Sequence, residues 1–243
     1  KLIVRGGSRL QGSIRATPSK SHTHRALIAT SLSNKKSRIE NPSLSEDVQA
    51  TIAAVESYGA EVKLGRELVV RGPDQIGLPS DVVNCGDSAS TMRFITPVLA
   101  HAEGISIVTG GPSLRQRPMR TLIDSLGQLG ICCYSARNDG CAPLVVFGGT
   151  YKGGSVQVAG DMSSQFISGF LFSASIARPS THIEVTTALR SKPYLLMTLE
   201  ILKRHGVDVD TTPDLERFEI RGGQTLGSCD HVIEGDFSSS AFL

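Results

Sequence analysis

Apolar and polar positions alternate along the chain in a pattern that occurs three times. Each copy contains an apolar strand, a polar loop, an amphipathic helix, a glycine and a short valine-rich strand. The copies span residues 38–62, 105–133 and 181–209. Apolar side chains stand four, seven and eleven positions before each glycine, which places them on one helical face. They are Val48, Ile52 and Val55 before Gly59, Met119, Ile123 and Leu126 before Gly130, and Leu195, Leu199 and Leu202 before Gly206.

Two further patterns recur with the same period of about 75 residues. A return strand that ends in glycine follows each helix and predicts a β-hairpin. These strands occupy 68–72, 144–148 and 218–222. A strand and a turn of small residues open each unit, with the turns at 18–21, 85–88 and 160–164. The chain is therefore predicted to be an α/β protein of three pseudo-symmetric βαβαββ units, the alternative being coincidence among ordinary α/β segments.

A fourth copy of the opening pattern lies at 232–239, and the chain stops inside the helix that this pattern starts. A folded domain rarely ends one turn into an amphipathic helix. We therefore expect this sequence to be part of a longer polypeptide.

Composition excludes several classes of protein. The 25 basic and 23 acidic residues leave a net charge of +2, and aromatic residues make up 5% of the chain, so nucleic-acid binding is not expected. Apolar runs are shorter than the ~20 residues of a membrane helix. An odd count of five cysteines favours a reducing, cytoplasmic setting. The chain has no C-x-x-C pair, and His22 and His24 would face apart on a helix, so we expect no metal site.

Polar loops at the predicted helix starts are the candidate functional segments. Free N–H groups at a helix start favour anions, and Lys20 and Arg25 add fixed positive charge to the first. Similar loops precede the helices near Ser90 and Gln165, and Arg117 lies in another. Ordinary Ser/Thr capping with solvent-facing cations would explain each loop singly. Pseudo-threefold symmetry instead brings the starts together, which predicts a site for a substrate with several negative charges.

Five motifs of the chain resemble those of the 5-enolpyruvylshikimate-3-phosphate (EPSP) synthases, or 3-phosphoshikimate 1-carboxyvinyltransferases. They are Ser19-Lys20-Ser21 with His24-Arg25-Ala26-Leu27, Gly86-Asp87-Ser88-Ala89-Ser90-Thr91-Met92-Arg93, Arg117-Pro118, Ser163-Ser164-Gln165-Phe166 and Ser191-Lys192-Pro193-Tyr194. The resemblance implies an enolpyruvyl-transferase-type domain and a cytoplasmic, monomeric transferase of aromatic amino-acid biosynthesis that needs no cofactor. It implies transfer of enolpyruvyl from phosphoenolpyruvate to the 5-hydroxyl of shikimate 3-phosphate, with release of phosphate, through a tetrahedral ketal.

The resemblance also implies roles for individual residues. Shikimate 3-phosphate would be held by Ser21, Arg25, Ser163, Ser164 and Ser191. Lys20 would lie between the substrates, Gln165 would contact both, Arg117 would grip phosphoenolpyruvate, and the helix start at Ala89 would hold its phosphate. The catalytic acid and base are expected beyond Leu243, so the 243-residue chain alone is expected to be inactive.

Domain boundaries follow from the same resemblance. The first domain is expected at 15–229, with units 15–80, 81–153 and 154–229, while 1–14 and 230–243 would be pieces of an incomplete second domain. Ala89 stands where most plant-like members have glycine, which implies tolerance to glyphosate. Asp87 replaces their asparagine, and a carboxylate cannot donate as an amide does.

Two alternatives remain open. The related UDP-N-acetylglucosamine enolpyruvyl transferases carry a reactive cysteine at the position of Pro112, and their start differs from Ser-Lys-Ser. A non-catalytic anion-binding or RNA-terminal phosphate-binding module could also use the same repeat.

Overall fold

The computed structural model describes residue 7 and residues 11–241. Three helices form its centre: α1 (Lys20–Ser31), α3 (Ala89–Leu99) and α5 (Ser164–Ser175). Nearly every side chain of α3 and α5 is buried, and the same holds for α1 after its first turn. Helix α3 packs against both α5 and α1. A helix that is buried on all sides belongs to a protein core, so these three helices are the middle layer of the fold.

Three four-stranded sheets surround the central helices and share one topology. Their strand orders are β12-β1-β3-β2, β4-β5-β7-β6 and β8-β9-β11-β10. In each sheet the first two strands are parallel, and the remaining neighbours are antiparallel. The strands are β1 (Ser37–Glu40), β2 (Glu61–Leu64), β3 (Glu67–Arg71), β4 (Val83–Asn84), β5 (Gly104–Thr109), β6 (Cys132–Ser135), β7 (Leu144–Gly148), β8 (Gly154–Val158), β9 (Thr181–Val185), β10 (Val209–Thr211), β11 (Arg217–Ile220) and β12 (His231–Val232). The predicted three-unit α/β fold is confirmed.

The first sheet takes its outer strand from the far end of the chain. Residues 11–17 form no strand, and β12 pairs in parallel with β1, with Ile39 opposite His231. In the first sheet, β12 therefore takes the place of the predicted opening strand of the first unit. Two strands can form parallel hydrogen bonds however far apart they are in the sequence. A short helix α7 (Phe237–Ser240) follows β12. The boundary at 229 assigns β12 to a second domain, and this division remains a proposal.

Three outer helices carry the predicted apolar faces. They are α2 (Glu46–Ser57), α4 (Arg120–Gln128) and α6 (Lys192–Arg204). The predicted positions on these faces are buried or partly buried, with Val48, Leu126 and Leu202 fully so. The glycines that follow have φ angles of 105°, 78° and 80° at Gly59, Gly130 and Gly206. Each outer helix therefore ends at a glycine in a left-handed conformation, which glycine adopts without steric cost.

Candidate functional site

Arg25 is a buried cation with no carboxylate partner in the described part of the chain. Its side chain is 1% exposed, its Nε donates to Thr198 Oγ1 at 2.8 Å, and its Nη1 donates to the Ser21 carbonyl at 3.1 Å. The guanidinium carbon lies 5.1 Å from the Phe94 ring centroid and 5.5 Å from that of Tyr194. Nη2 is buried and has no partner among the described residues.

Burial lowers the pKa of the Arg25 guanidinium to about 10. A pKa of this size still leaves the side chain charged at neutral pH. Burying an unpaired charge costs free energy, and proteins normally offset that cost with an ion pair. A buried cation with an unused donor is therefore arranged to receive an anion.

Helix α1 starts beside Arg25 and is linked to the starts of α2 and α3. Ser19 caps α1, with its hydroxyl accepting from the His22 N–H at 3.3 Å. Lys20 Nζ lies 2.5 Å from Asp47 Oδ2 in the first turn of α2, although both side chains are partly exposed. Thr91 of α3 donates to the Asp47 carbonyl at 3.3 Å. Lys20 therefore stands at a junction of three helix starts.

A polar network joins the starts of α3 and α5. Arg93 Nη1 donates to Gln165 Oε1 at 2.8 Å and lies 3.4 Å from Ser163 Oγ. Gln165 in turn donates to Ser90 Oγ at 2.7 Å. Ser163 caps α5 by accepting from the Gln165 N–H at 3.2 Å, and Ser164 follows it in the buried first turn. Three of the predicted site residues thus lie within one turn of a helix that also contacts α3.

Arg117 contributes a second, more exposed cation. It ends the short 3₁₀ helix Leu114–Gln116 and is exposed to solvent. Arg93 has its pKa lowered to about 10, mainly by burial and further by the positive charge of Arg117. The two guanidinium groups are therefore close enough to repel each other. Two cations that repel each other favour the binding of an anion near both.

The loop around Ala89 is held by its own polar groups. Ser88 caps α3, accepting from the Thr91 N–H at 3.2 Å, and Ala89 is the first helical residue and is 7% exposed. Asp87 Oδ1 accepts from the Leu114 N–H at 3.1 Å. Asp87 therefore acts as a hydrogen-bond acceptor in this loop, a role that a carboxylate fills as well as an amide oxygen does.

Ser191 lies at the start of α6 in a left-handed conformation, with φ 58° and ψ 42°, and is exposed. A left-handed conformation costs a non-glycine residue about 1–3 kcal/mol, and such strain is concentrated at functional positions. Tyr194, three residues later, packs on Arg25. Ser191 is thus connected to the Arg25 region through the first turn of α6.

Sequence reasoning missed two residues that the structure places in this region. They are Arg93, which belongs to the second motif, and Thr198, which lies outside all five motifs. The signal for Arg93 was a basic residue inside an otherwise apolar helix. Nothing in the sequence near Thr198 indicates its contact with Arg25, which is 173 positions away. The capping alternative is right for Ser19, Ser88 and Ser163, but it does not explain the buried guanidinium groups.

No helix in the described part of the chain has the length and apolar character to cross a membrane. Residues 4–243 match the family model for EPSP synthase (3-phosphoshikimate 1-carboxyvinyltransferase). The chain is 38% identical over its whole length to the 3-phosphoshikimate 1-carboxyvinyltransferase of Methanococcus maripaludis strain S2, and 41% identical to that of Methanocorpusculum labreanum. It spans 57% of the length of each of these relatives.

Solved structures agree with this assignment at the level of the fold. The EPSP synthase of Acinetobacter baumannii superposes with a TM-score of 0.83, at 24% identity, over 95% of this chain and 51% of that one. The fold, the sequence match and the motifs together show that the chain belongs to the EPSP synthase family.

Proposed function

We propose that this chain provides the shikimate 3-phosphate site, and part of the phosphoenolpyruvate site, of a 3-phosphoshikimate 1-carboxyvinyltransferase. The observation that carries the proposal is the buried Arg25 guanidinium, which has an unused donor and, within residues 11–241, no carboxylate partner. Arg25 contacts the Ser21 carbonyl and packs on Tyr194, three residues after Ser191. A phosphate or carboxylate in this region would supply the missing partner.

The remaining roles follow from position in the fold. Ser163, Ser164 and Gln165 form the start of α5 and would complete the shikimate 3-phosphate site with Ser21 and Ser191. Lys20 at the start of α1 would lie between the two anions. Positive charge that is fixed before the reaction stabilises charge developing on the ketal intermediate, since no reorganisation is then needed.

Phosphoenolpyruvate would bind on the α3 side. Its phosphate would receive N–H groups from the helix start at Ala89, where the helix dipole is positive. Arg117 would grip the same substrate, and we add Arg93, which lies beside Arg117 and bonds Gln165. These residues bind and orient anions, and we assign none of them the proton transfers. A monomeric state and a cytoplasmic location belong to the same proposal.

Arg25→Met tests the shikimate 3-phosphate site because methionine fills the space without the charge. Calorimetric titration should show affinity for shikimate 3-phosphate reduced by about 10- to 150-fold, the equivalent of about 1.5–3 kcal/mol for a charged hydrogen bond. Stability should stay within about 1 kcal/mol, since an unpaired buried charge is being replaced by an apolar group.

Arg221→Ala is the matched control, since Arg221 is exposed and forms a surface ion pair with Asp210 at 3.6 Å. It should bind shikimate 3-phosphate as the unmodified protein does. Unchanged affinity in Arg25→Met would contradict the assignment. Release of phosphate from phosphoenolpyruvate by the 243-residue chain, freed of host enzyme, would show that a proton-transfer group lies within this sequence.

A further inference from the structure

A cluster of two histidines and one cysteine lies where α6 ends and β12 begins. The side-chain ligand atoms of His205, Cys229 and His231 all lie within 4.8 Å of one another. Both histidines are buried, and Cys229 is partly exposed, which leaves a path from solvent. The sequence shows no C-x-x-C pair, and only the C-x-H spacing of Cys229 and His231 is local.

His205 is oriented as a metal-binding imidazole. Its Nδ1 lies 2.7 Å from the Gly227 carbonyl oxygen, and because that oxygen can only accept, Nδ1 carries the proton. Nε2 then has a free lone pair. A carbonyl that fixes the tautomer and leaves the other nitrogen free is the usual support of a metal-bound histidine.

The Nε2 atom of His231 faces the Nε2 atom of His205. The Nε2 atoms of His205 and His231 are 2.9 Å apart, and the buried Nδ1 of His231 has no partner among the described residues. Two imidazole nitrogen atoms at this distance have either one shared proton or a cation between them.

The geometry suits a tetrahedral divalent cation. With bonds of about 2.0–2.1 Å to nitrogen and about 2.3 Å to sulfur, neighbouring ligand atoms lie about 3.3–3.6 Å apart. The two nitrogen atoms, at 2.9 Å, are closer than that, and the three ligand atoms are spread over up to 4.8 Å. Binding therefore requires the two imidazoles and the Cys229 side chain to rotate around the ion. Two imidazoles and a thiolate are the donor set that Zn²⁺ accepts readily. Arg204 opposes the charge of a cation here, although its guanidinium is engaged with the Asp230 carbonyl at 2.7 Å.

We propose that His205, Cys229 and His231 form a Zn²⁺ site with water as the fourth ligand. His205 ends the outer helix of the third unit, whereas His231 belongs to the first sheet through its pairing opposite Ile39. The ion would therefore cross-link the third unit to the first. Its effect would be on stability, independently of substrate binding.

Metal-free protein titrated with Zn²⁺ should bind one ion per chain. At a hundredfold excess over Kd, the Tm should rise by about 5–10 °C. Co²⁺ serves as an optical probe, since tetrahedral coordination with a thiolate gives visible bands and a sulfur-to-cobalt charge-transfer band. No change in Tm and no cobalt spectrum would overturn the proposal.

Cys229→Ser is the decisive variant because the side chain is partly exposed and its loss should not prevent folding. It should abolish the charge-transfer band and weaken Zn²⁺ binding by at least about tenfold. Cys132→Ser, at an exposed cysteine in β6, is the control and should bind Zn²⁺ normally. Equal affinity in Cys229→Ser, or loss of binding in Cys132→Ser, would place the metal elsewhere and refute the site.

Discussion

Replacing Gly148 by alanine tests the contact that repeats at the end of each return strand. A Cβ atom on Gly148 would overlap the Ala102 carbonyl oxygen and would lie 2.8 Å from the Leu99 carbonyl oxygen. Equivalent overlaps exist for Gly72 with Ser31 and for Gly222 with Arg178. In each unit, therefore, the return strand passes directly over the backbone at the end of a central helix.

Two opposing effects decide whether Gly148→Ala raises or lowers the free energy of unfolding. Gly148 has no left-handed φ, so alanine would stabilise the protein by about 0.4–1 kcal/mol through the unfolded state. The overlap involves backbone on both sides, and forcing such atoms apart costs about 1–3 kcal/mol or more. The steric cost is larger, so we expect Gly148→Ala to lower the free energy of unfolding by about 1–2 kcal/mol.

Urea unfolding followed by far-ultraviolet circular dichroism measures the change, with a matching loss of about 2–4 °C in Tm per kcal/mol. Gly127→Ala is the control because Gly127 lies in α4 with nothing within 4 Å of the added atom. That variant should be more stable than the parent, since alanine has the higher helix propensity. If Gly148→Ala is as stable as Gly127→Ala, the packing explanation is wrong.

Two further predictions concern the inhibitor response and the dependence of stability on pH. Ala89→Gly in the whole enzyme should lower the inhibition constant for glyphosate, because it removes the methyl group at the start of α3; equal constants in an enolpyruvyl transfer assay would contradict this. Burial lowers the pKa of His101 to about 4. Between pH 4 and about 6.5 the imidazole is therefore neutral in the folded protein and takes up a proton on unfolding. The unfolded state binds more protons there, so the free energy of unfolding should fall as pH drops through that range, by up to about 1.4 kcal/mol per pH unit. Urea titrations of His101→Gln should show a smaller slope, and an unchanged slope would exclude His101 as the cause.

The outer helices could be predicted from sequence because their signal is local. Val48, Ile52 and Val55 fall on one face at a spacing that only a helix produces, and Gly59 marks its end. The central helices carry a weaker pattern, since α5 is buried on every side and its apolar residues show no face. The threefold repeat predicts only that their starts come together, and their position between the sheets is seen in the structure.

Contacts between distant parts of the chain could not be predicted in the same way. The pairing of β12 with β1 joins residues about 190 positions apart, and no turn signal specifies it. The contact of Arg25 with Thr198 likewise joins residues that are far apart in the sequence, and no local signal specifies it. Helix starts rich in serine and cations were visible in the sequence, but whether a cation is buried and unpaired depends on what packs around it.

The central helices explain how the two guanidinium groups of the proposed anion site are held without a carboxylate partner among the described residues. Arg25 and Arg93 extend from helices α1 and α3, which are buried along most of their length. Arg25 is fully buried, and Arg93 is partly exposed. Their guanidinium groups rest on Phe94, Tyr194 and Phe166, with ring centroids 4.7–5.5 Å away. Aromatic faces stabilise a cation only modestly and leave its outward N–H groups available. A buried carboxylate would stabilise the free protein more, but it would occupy the donors that a phosphate requires. The lower stability of an unpaired cation is thus linked to affinity for the anion, which is why Arg25→Met should lose binding without losing stability.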